Sequence, residues 1–152
     1  MNFISLFYSD VQAAYPTQSH INKLIRAITN SSLHACFLVR LCQVSPGWFF
    51  FLFRRLLIAF HGIDVGKGFT IGSGLSLPHP VGVVIGGGCR VGCNCTIFQS
   101  VTLGVAHGKY PKIGNDVIIY PNSVIVGDIE IPDGKRVRAL SFLAPIRNES
   151  AH

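Results

Sequence analysis

The sequence predicts a mainly β fold, a three-sided parallel β-helix of hexapeptide repeats carrying a short α-helical N-terminal cap. Three observations predict it. The first is an apolar residue at every sixth position: Val65, Ile71 and Leu77, then Ile85, Val91, Ile97 and Leu103, then Ile113, Ile119, Ile125, Ile131 and Val137. The second is glycine beside many of these aliphatics, at 66, 72, 86, 92 and 114. The third is the pair of interruptions, two extra residues around His79 and a loop from Gly104 to Lys112, after each of which the period resumes. A fixed short period is the mark of stacked repeats. A helix needs a 3.6-residue period and a half-buried strand needs strict alternation, and neither describes the segment.

Each hexapeptide supplies one flat side, its aliphatic pointing to the axis, and three sides close one coil. The glycines fall where the chain turns a corner, where a side chain would crowd the turn or forbid a positive φ. Small residues four positions after the aliphatic, such as Cys89, Cys95 and Ser123, suit the tight interior. Each coil is stabilised mainly by its neighbours. The chain divides into a helical cap at 1–62, the β-helix at 63–140 and a tail at 141–152.

Within the cap, residues 9–15 read as a short helix capped by Ser9 and stopped before Pro16. From 19 to 29, Ile21, Leu24, Ile25 and Ile28 line one helical face. Ser31 or Ser32 starts the next helix, with Leu33, Phe37, Leu38 and Leu41 on its buried side. Ser45 and Pro46 open a third, WFFFLFRRLLIAF, which is apolar nearly all round except for Arg54 and Arg55 and ends near His61 and Gly62. It is shorter than the roughly twenty apolar residues a bilayer span requires. Two readings stand for residues 46–61: burial against the prism and other subunits, or peripheral contact with a membrane surface.

At 152 residues the chain suits one domain with a real core. A mean hydropathy of +0.43 leaves apolar surface to be covered by a subunit interface or a membrane. The net charge of +6 favours anionic partners. No basic run or helix–turn–helix pattern supports nucleic-acid binding, and none is expected. Five cysteines, an odd number, and no secretory signal in MNFISLFYSD point to a reducing cytoplasm. Cys89, Cys93 and Cys95 are close enough to raise a metal site, but two of them occupy small-residue repeat positions and the spacing of zinc knuckles is missing, so no metal is expected.

Chemistry is sought where the repeat breaks. His79, flanked by Pro78 and Pro80, bulges outward within reach of a substrate. Asp64, fifteen residues earlier and close to one coil away, is placed to orient its imidazole, which leaves the other ring nitrogen to accept a proton. No serine or cysteine is placed as a nucleophile, which favours direct attack by an activated acceptor.

The motifs GIDV, PHPVGVVIG, FQSVTLG and YPKIG, in this order between Phe60 and Asp133, resemble the left-handed β-helix of serine acetyltransferases and their small hexapeptide relatives. The resemblance implies a homotrimer with acetyl-CoA along the groove between two prisms, His79 as general base and Asp64 as its partner. It implies CoA contacts at Ser100, Thr102 and Gly104, with Lys109 and Lys112 toward the phosphates. Such enzymes usually carry a histidine where this chain has Tyr110, so Tyr110 and nearby His107 are the acceptor-side candidates. The altered position and the short N-terminus lead to an O-acetyltransferase whose acceptor is a sugar of a bacterial surface polysaccharide or its precursor, cytoplasmic or at the inner face of the membrane. Serine O-acetyl transfer is the alternative, and a catalytically weak assembly module is a third reading.

Overall fold

The computed structural model describes residues 2–17 and 29–145. The helix expected over 19–29 lies almost entirely outside the described residues. Among the described residues, three helices are followed by twelve short strands that wind around one axis.

Helix α1, Phe3–Ala14, begins six residues before the expected start. Its cap is Asn2, whose Oδ1 accepts the Ser5 N–H at 2.9 Å, and Pro16 ends it as anticipated. Ser9 is not a cap. Its Oγ sits inside the helix, donates to the Leu6 carbonyl and accepts the Gly74 N–H from the prism. Helix α2, Ser31–Val44, is capped by Asn30, whose Oδ1 accepts from Ser32 and Leu33, so neither expected serine takes that role. Asparagine offers the same acceptor one residue earlier. Helix α3, Gly47–His61, follows Pro46, while Ser45 closes α2 instead of opening α3. Gly62 ends α3 in the left-handed conformation, φ +61°, with its N–H on Ile58 O.

The strands form three parallel sheets, one per side of the prism. The first contains β1 (Asp64–Val65), β3 (Val84–Ile85), β6 (Thr102–Gly104), β9 (Val124–Val126) and β12 (Phe142–Leu143). The second contains β2 (Thr70–Ile71), β4 (Arg90–Val91), β7 (Lys112–Ile113) and β10 (Glu130–Ile131). The third contains β5 (Thr96–Ile97), β8 (Ile118–Ile119) and β11 (Arg136–Val137), extended by a bridge from Ser76 to Thr96. Register places each aliphatic on the next: Val65 on Ile85, Ile85 on Leu103 and Leu103 on Ile125. All twelve aliphatics of the repeat are buried, each contributing about 1.5–3 kcal/mol relative to exposure. The period runs one side further than expected, since Leu143 in β12 pairs with Ile125 inside the segment assigned to the tail.

Corners use two separate devices. Gly66 and Gly92 serve close approach: a Cβ at Gly66 would lie 2.4 Å from Gly87 N, and one at Gly92 2.6 Å from Gly114 C. Positive φ is taken elsewhere, by Gly74, Asn94, Asp116 and Gly134 stacked along one edge and by Gly82, Ser100, Asn122 and Leu140 along another. Asn94, Asp116 and Gly134 donate their N–H to the corner below, at Ser73, Cys93 and Asn115. Asparagine and aspartate tolerate this conformation better than other side chains. Cys89, Cys95 and Ser123 fill the interior as expected.

The cap is clamped to the first coil by a fully buried ion pair. Arg40 of α2 donates Nε and Nη2 to the two oxygens of Asp10 on α1, both at 2.8 Å, and reaches Ile71 O and Gly72 O in the prism. Asp10 Oδ1 also accepts the Leu75 N–H. Burial pushes the Asp10 carboxyl up from its ordinary value, and Arg40 pulls against it.

Candidate active site

His79 lies exposed on the excursion that joins the third side of the first coil to the first side of the second. The excursion is held at both ends. Val81 N bonds back to His79 O, Ser100 N donates to Val81 O, and Gly82 N reaches His61 O at the end of α3. Phe98, one coil up, packs beside the imidazole with ring centroids 6.3 Å apart and stacks in turn on Tyr120. The two extra residues thus project a histidine from a corner whose backbone remains tied to the coil above.

Asp64 sits on β1 with its side chain half-exposed, and both its oxygens belong to Arg54: Nε to Oδ1 at 2.6 Å and Nη2 to Oδ2 at 2.8 Å. The partner that the structure gives Asp64 is therefore an arginine, not His79. Spacing reasoning missed it because Arg54 reads as an interruption of an apolar helix. The available signal was helical phase, since Phe50, Arg54, Leu57 and His61 fall four, three and four apart on the face turned inward.

A second unforeseen pair lies beneath the excursion. His34 Nδ1 and His61 Nε2 are 2.8 Å apart, and burial, together with the charge of His34, holds His61 below the ordinary histidine range.

Ser100, Thr102 and Gly104 follow one strand across the first sheet, Ser100 at its corner and Thr102 and Gly104 on its outer face. Ser100 stacks over Gly82, so the structure brings it to the His79 excursion: a Cβ on Gly82 would lie 3.3 Å from Ser100 Oγ. His107, Lys109 and Tyr110 stand at the opposite edge of the same sheet, where residues 105–111 make a small hairpin closed by Ala106 and Lys109, and Lys112 follows on β7 of the second sheet. His107 is at the hairpin's exposed tip with φ +52°. Lys109 is paired with Asp128 and holds that carboxyl below its usual range, so it is less available to a phosphate than expected, while Lys112 is exposed between Arg90 and Glu130.

Tyr110 has a role that its sequence position did not announce. Its ring lies across the corner of the coil below: Cβ atoms on Gly86 and Gly88 would come 2.7 Å from Cε1 and 2.2 Å from Cδ2. Those glycines make a seat for the ring, and the hairpin is held from below by that seat and from above by the Lys109–Asp128 pair. Within one chain, then, His79 and the pair Tyr110 and His107 occupy two different corners of one sheet.

The cysteines are all free. Burial raises Cys89 to about 11, and raises Cys95, Cys36 and Cys42 as well, which suits packing residues better than nucleophiles. Among the described residues, no group of three or more His, Cys, Asp or Glu side chains could hold a metal ion.

No family model matches the chain. A serine acetyltransferase of Bacillus subtilis is 31% identical over 150 residues, which cover 93% of this chain and 69% of that protein. The chain belongs to the serine acetyltransferase family. Serine acetyltransferase isoform 3 of Entamoeba histolytica, solved in complex with cysteine, superposes with a TM-score of 0.80 at 27% identity, over 93% of this chain and 54% of its own. A serine acetyltransferase solved in complex with CoA shares the fold, with a TM-score of 0.76 at 21% identity over 92% of this chain and 61% of that one. The prism is accordingly the left-handed β-helix of the serine acetyltransferases. This chain spans about half the length of the Entamoeba protein. Both the Bacillus and the Entamoeba matches cover 93% of the chain. The serine acetyltransferase likeness therefore takes in far more than the repeat segment on which the sequence motifs lie.

Proposed function

We propose that this serine acetyltransferase family member transfers an acetyl group from acetyl-CoA to the hydroxyl of serine in the cytoplasm, with His79 as general base, and that it works as a homotrimer. The observation that carries the reading is the match to a serine acetyltransferase along nearly the whole chain. It reverses the order of acceptors expected from the motifs, where a sugar was placed first. That order rested on Tyr110 and on the short helical cap. The Tyr110 ring is engaged by the Gly86 and Gly88 seat and so carries little information about the acceptor.

The imidazole of His79 removes the proton of the serine hydroxyl as its oxygen attacks the thioester carbonyl. Collapse of the tetrahedral adduct breaks the carbon–sulfur bond, and the proton held by His79 passes to the CoA sulfur, giving O-acetylserine and free CoA. His79 is exposed between Pro78 and Pro80, within reach of an acceptor. Asp64 is the carboxylate proposed to orient this imidazole in the working enzyme, a role that requires it to yield part of its two-point contact with Arg54. Trimerisation supports the same scheme, because His79 and the 105–111 hairpin stand at two corners of one sheet, and a neighbouring prism along that sheet would bring one copy's histidine to another's hairpin. Thr102, Gly104 and Lys112 line the outer faces on which CoA would lie.

The test is thiol release from acetyl-CoA with L-serine and, in parallel, with a panel of glycans, followed by mass analysis of the products. O-acetylserine as the dominant product supports the reading. Glycan acetylation with serine inert restores the sugar assignment, and no transfer to any acceptor leaves an assembly module. His79→Ala should lower turnover by about two to four orders of magnitude, and a folded variant of near-normal turnover removes His79 from the mechanism.

A further inference from the structure

Helix α3 keeps only a narrow strip against the rest of the chain. Phe50, Leu57 and His61 are buried and Arg54 is turned to Asp64, whereas Trp48, Phe49, Phe51, Leu52, Leu56, Ile58 and Phe60 are exposed, Trp48 and Phe60 to 66% each. The exposed arc is continuous along the helix and carries one charge, Arg55. Isolated surface apolar residues need no explanation, but a contiguous patch of seven on one element does.

We propose that this face docks on the surface of an anionic phospholipid bilayer, with α3 lying in the plane of the interface. The inference is independent of the acceptor and of the acetyl-transfer reading. Charge selects the occupant. No acidic residue occurs between Asp10 and Asp64, while Lys23, Arg26, Arg40, Arg54 and Arg55 do. Of the described cations in that span, Arg40 is paired with Asp10 inside the fold and Arg54 is paired with Asp64 at its partly exposed edge, which leaves Arg55 in the middle of the apolar arc.

A second copy of the chain covers this face less well. Asp10, Asp64 and Asp128 are paired with cations, and Asp116 and Asp133 are bonded within the corner ladder. Glu130 and the exposed carboxylates of Asp116 and Asp133, all on the third and fourth coils and away from the cap, are what the described residues leave to meet a buried arginine. Lipid phosphates meet it directly. Among the described residues no helix is long and apolar enough to cross a membrane, so α3 would lie on the surface rather than span it. The prism takes the place of the polar face that an isolated interfacial helix needs. In a cyclic trimer all three copies of α3 stand at the same end of the assembly, which makes attachment trivalent.

Trp48 is the chain's single tryptophan and stands at the start of this helix, so it reports docking without a label. The full chain is titrated with vesicles of phosphatidylcholine and phosphatidylglycerol in equal parts and with vesicles of phosphatidylcholine alone. The readouts are Trp48 emission, quenching by acrylamide, and co-sedimentation. The expected result is a blue shift with loss of quenching on the anionic vesicles and weaker binding to the neutral ones. Arg55→Glu should weaken anionic binding about tenfold or more, and Phe51→Gln with Phe60→Gln should abolish binding to both, with circular dichroism unchanged in each variant. Absence of any shift overturns the proposal, as does binding that survives the phenylalanine substitutions. It is equally overturned if Trp48 is already shielded from acrylamide without lipid and light scattering shows the phenylalanine variant falling to a smaller oligomer, because a second copy then covers the face.

Discussion

Arg40→Ala should detach the helical cap from the prism. The guanidinium has five hydrogen bonds, two to Asp10 and one each to Gln43 Oε1, Ile71 O and Gly72 O, and both members of the ion pair are fully buried. Removing it leaves the Asp10 carboxylate with the Leu75 N–H as its remaining donor, and strips Gly72 O of the donor it has from the cap, while Ile71 O keeps Gln43 Nε2. A buried charge stripped of its partner costs about 3–5 kcal/mol. At roughly 2–4 °C per kcal/mol for a chain of this size, thermal unfolding followed by circular dichroism at fixed protein concentration should shift down by about 6–20 °C. Replacing both partners, Asp10→Leu with Arg40→Met, should be milder than Arg40→Ala because no charge is left unpaired. A fall of under about 3 °C in Arg40→Ala, or a double variant no more stable than the single one, would refute the claim that this pair fastens cap to prism.

Three further outcomes follow from the site. Gly88→Ala should expel the Tyr110 ring, costing about 1–3 kcal/mol through overpacking, whereas Tyr110→Phe should leave stability and acetyl-CoA turnover nearly unchanged because ring carbons make the contact. A Tyr110→Phe variant as inactive as Tyr110→Ala would show that the hydroxyl meets the acceptor after all. His61, held below its ordinary value, binds its proton less readily folded than unfolded. Its contribution is therefore intact above about pH 6.5 and is lost as the pH falls from there toward the lower folded value. The melting temperature should drop more between pH 7.5 and 5.5 in the wild type than in His61→Gln, and equal drops would exclude this histidine. Asp64→Asn should weaken the Arg54 contact and lower kcat more than it raises the KM for acetyl-CoA. Unchanged kcat with an unchanged pH–rate profile would take Asp64 out of the proton transfer.

The six-residue period, the two interruptions and the interior positions of Cys89, Cys95 and Ser123 were legible in the sequence because each depends on a residue's own size and apolarity repeated at fixed spacing. His79 was legible for the same reason, as the point where the spacing fails. Sequence spacing missed everything that depends on two remote segments meeting. The Asp10–Arg40 clamp joins residues thirty apart across two helices, and its carbonyl partners lie in the first coil. Asp64 seemed destined for His79 because they are one coil apart, but the inward phase of α3 delivered Arg54 to it, with two guanidinium donors matched to two carboxylate oxygens. Tyr110 read as a departure at an acceptor position, and stacking of one corner on the next turned it into packing against Gly86 and Gly88. A repeat determines its own axis from local pattern alone. Which side chains bond across coils, and which helical face is left bare, is decided only when the coils and the cap are packed together.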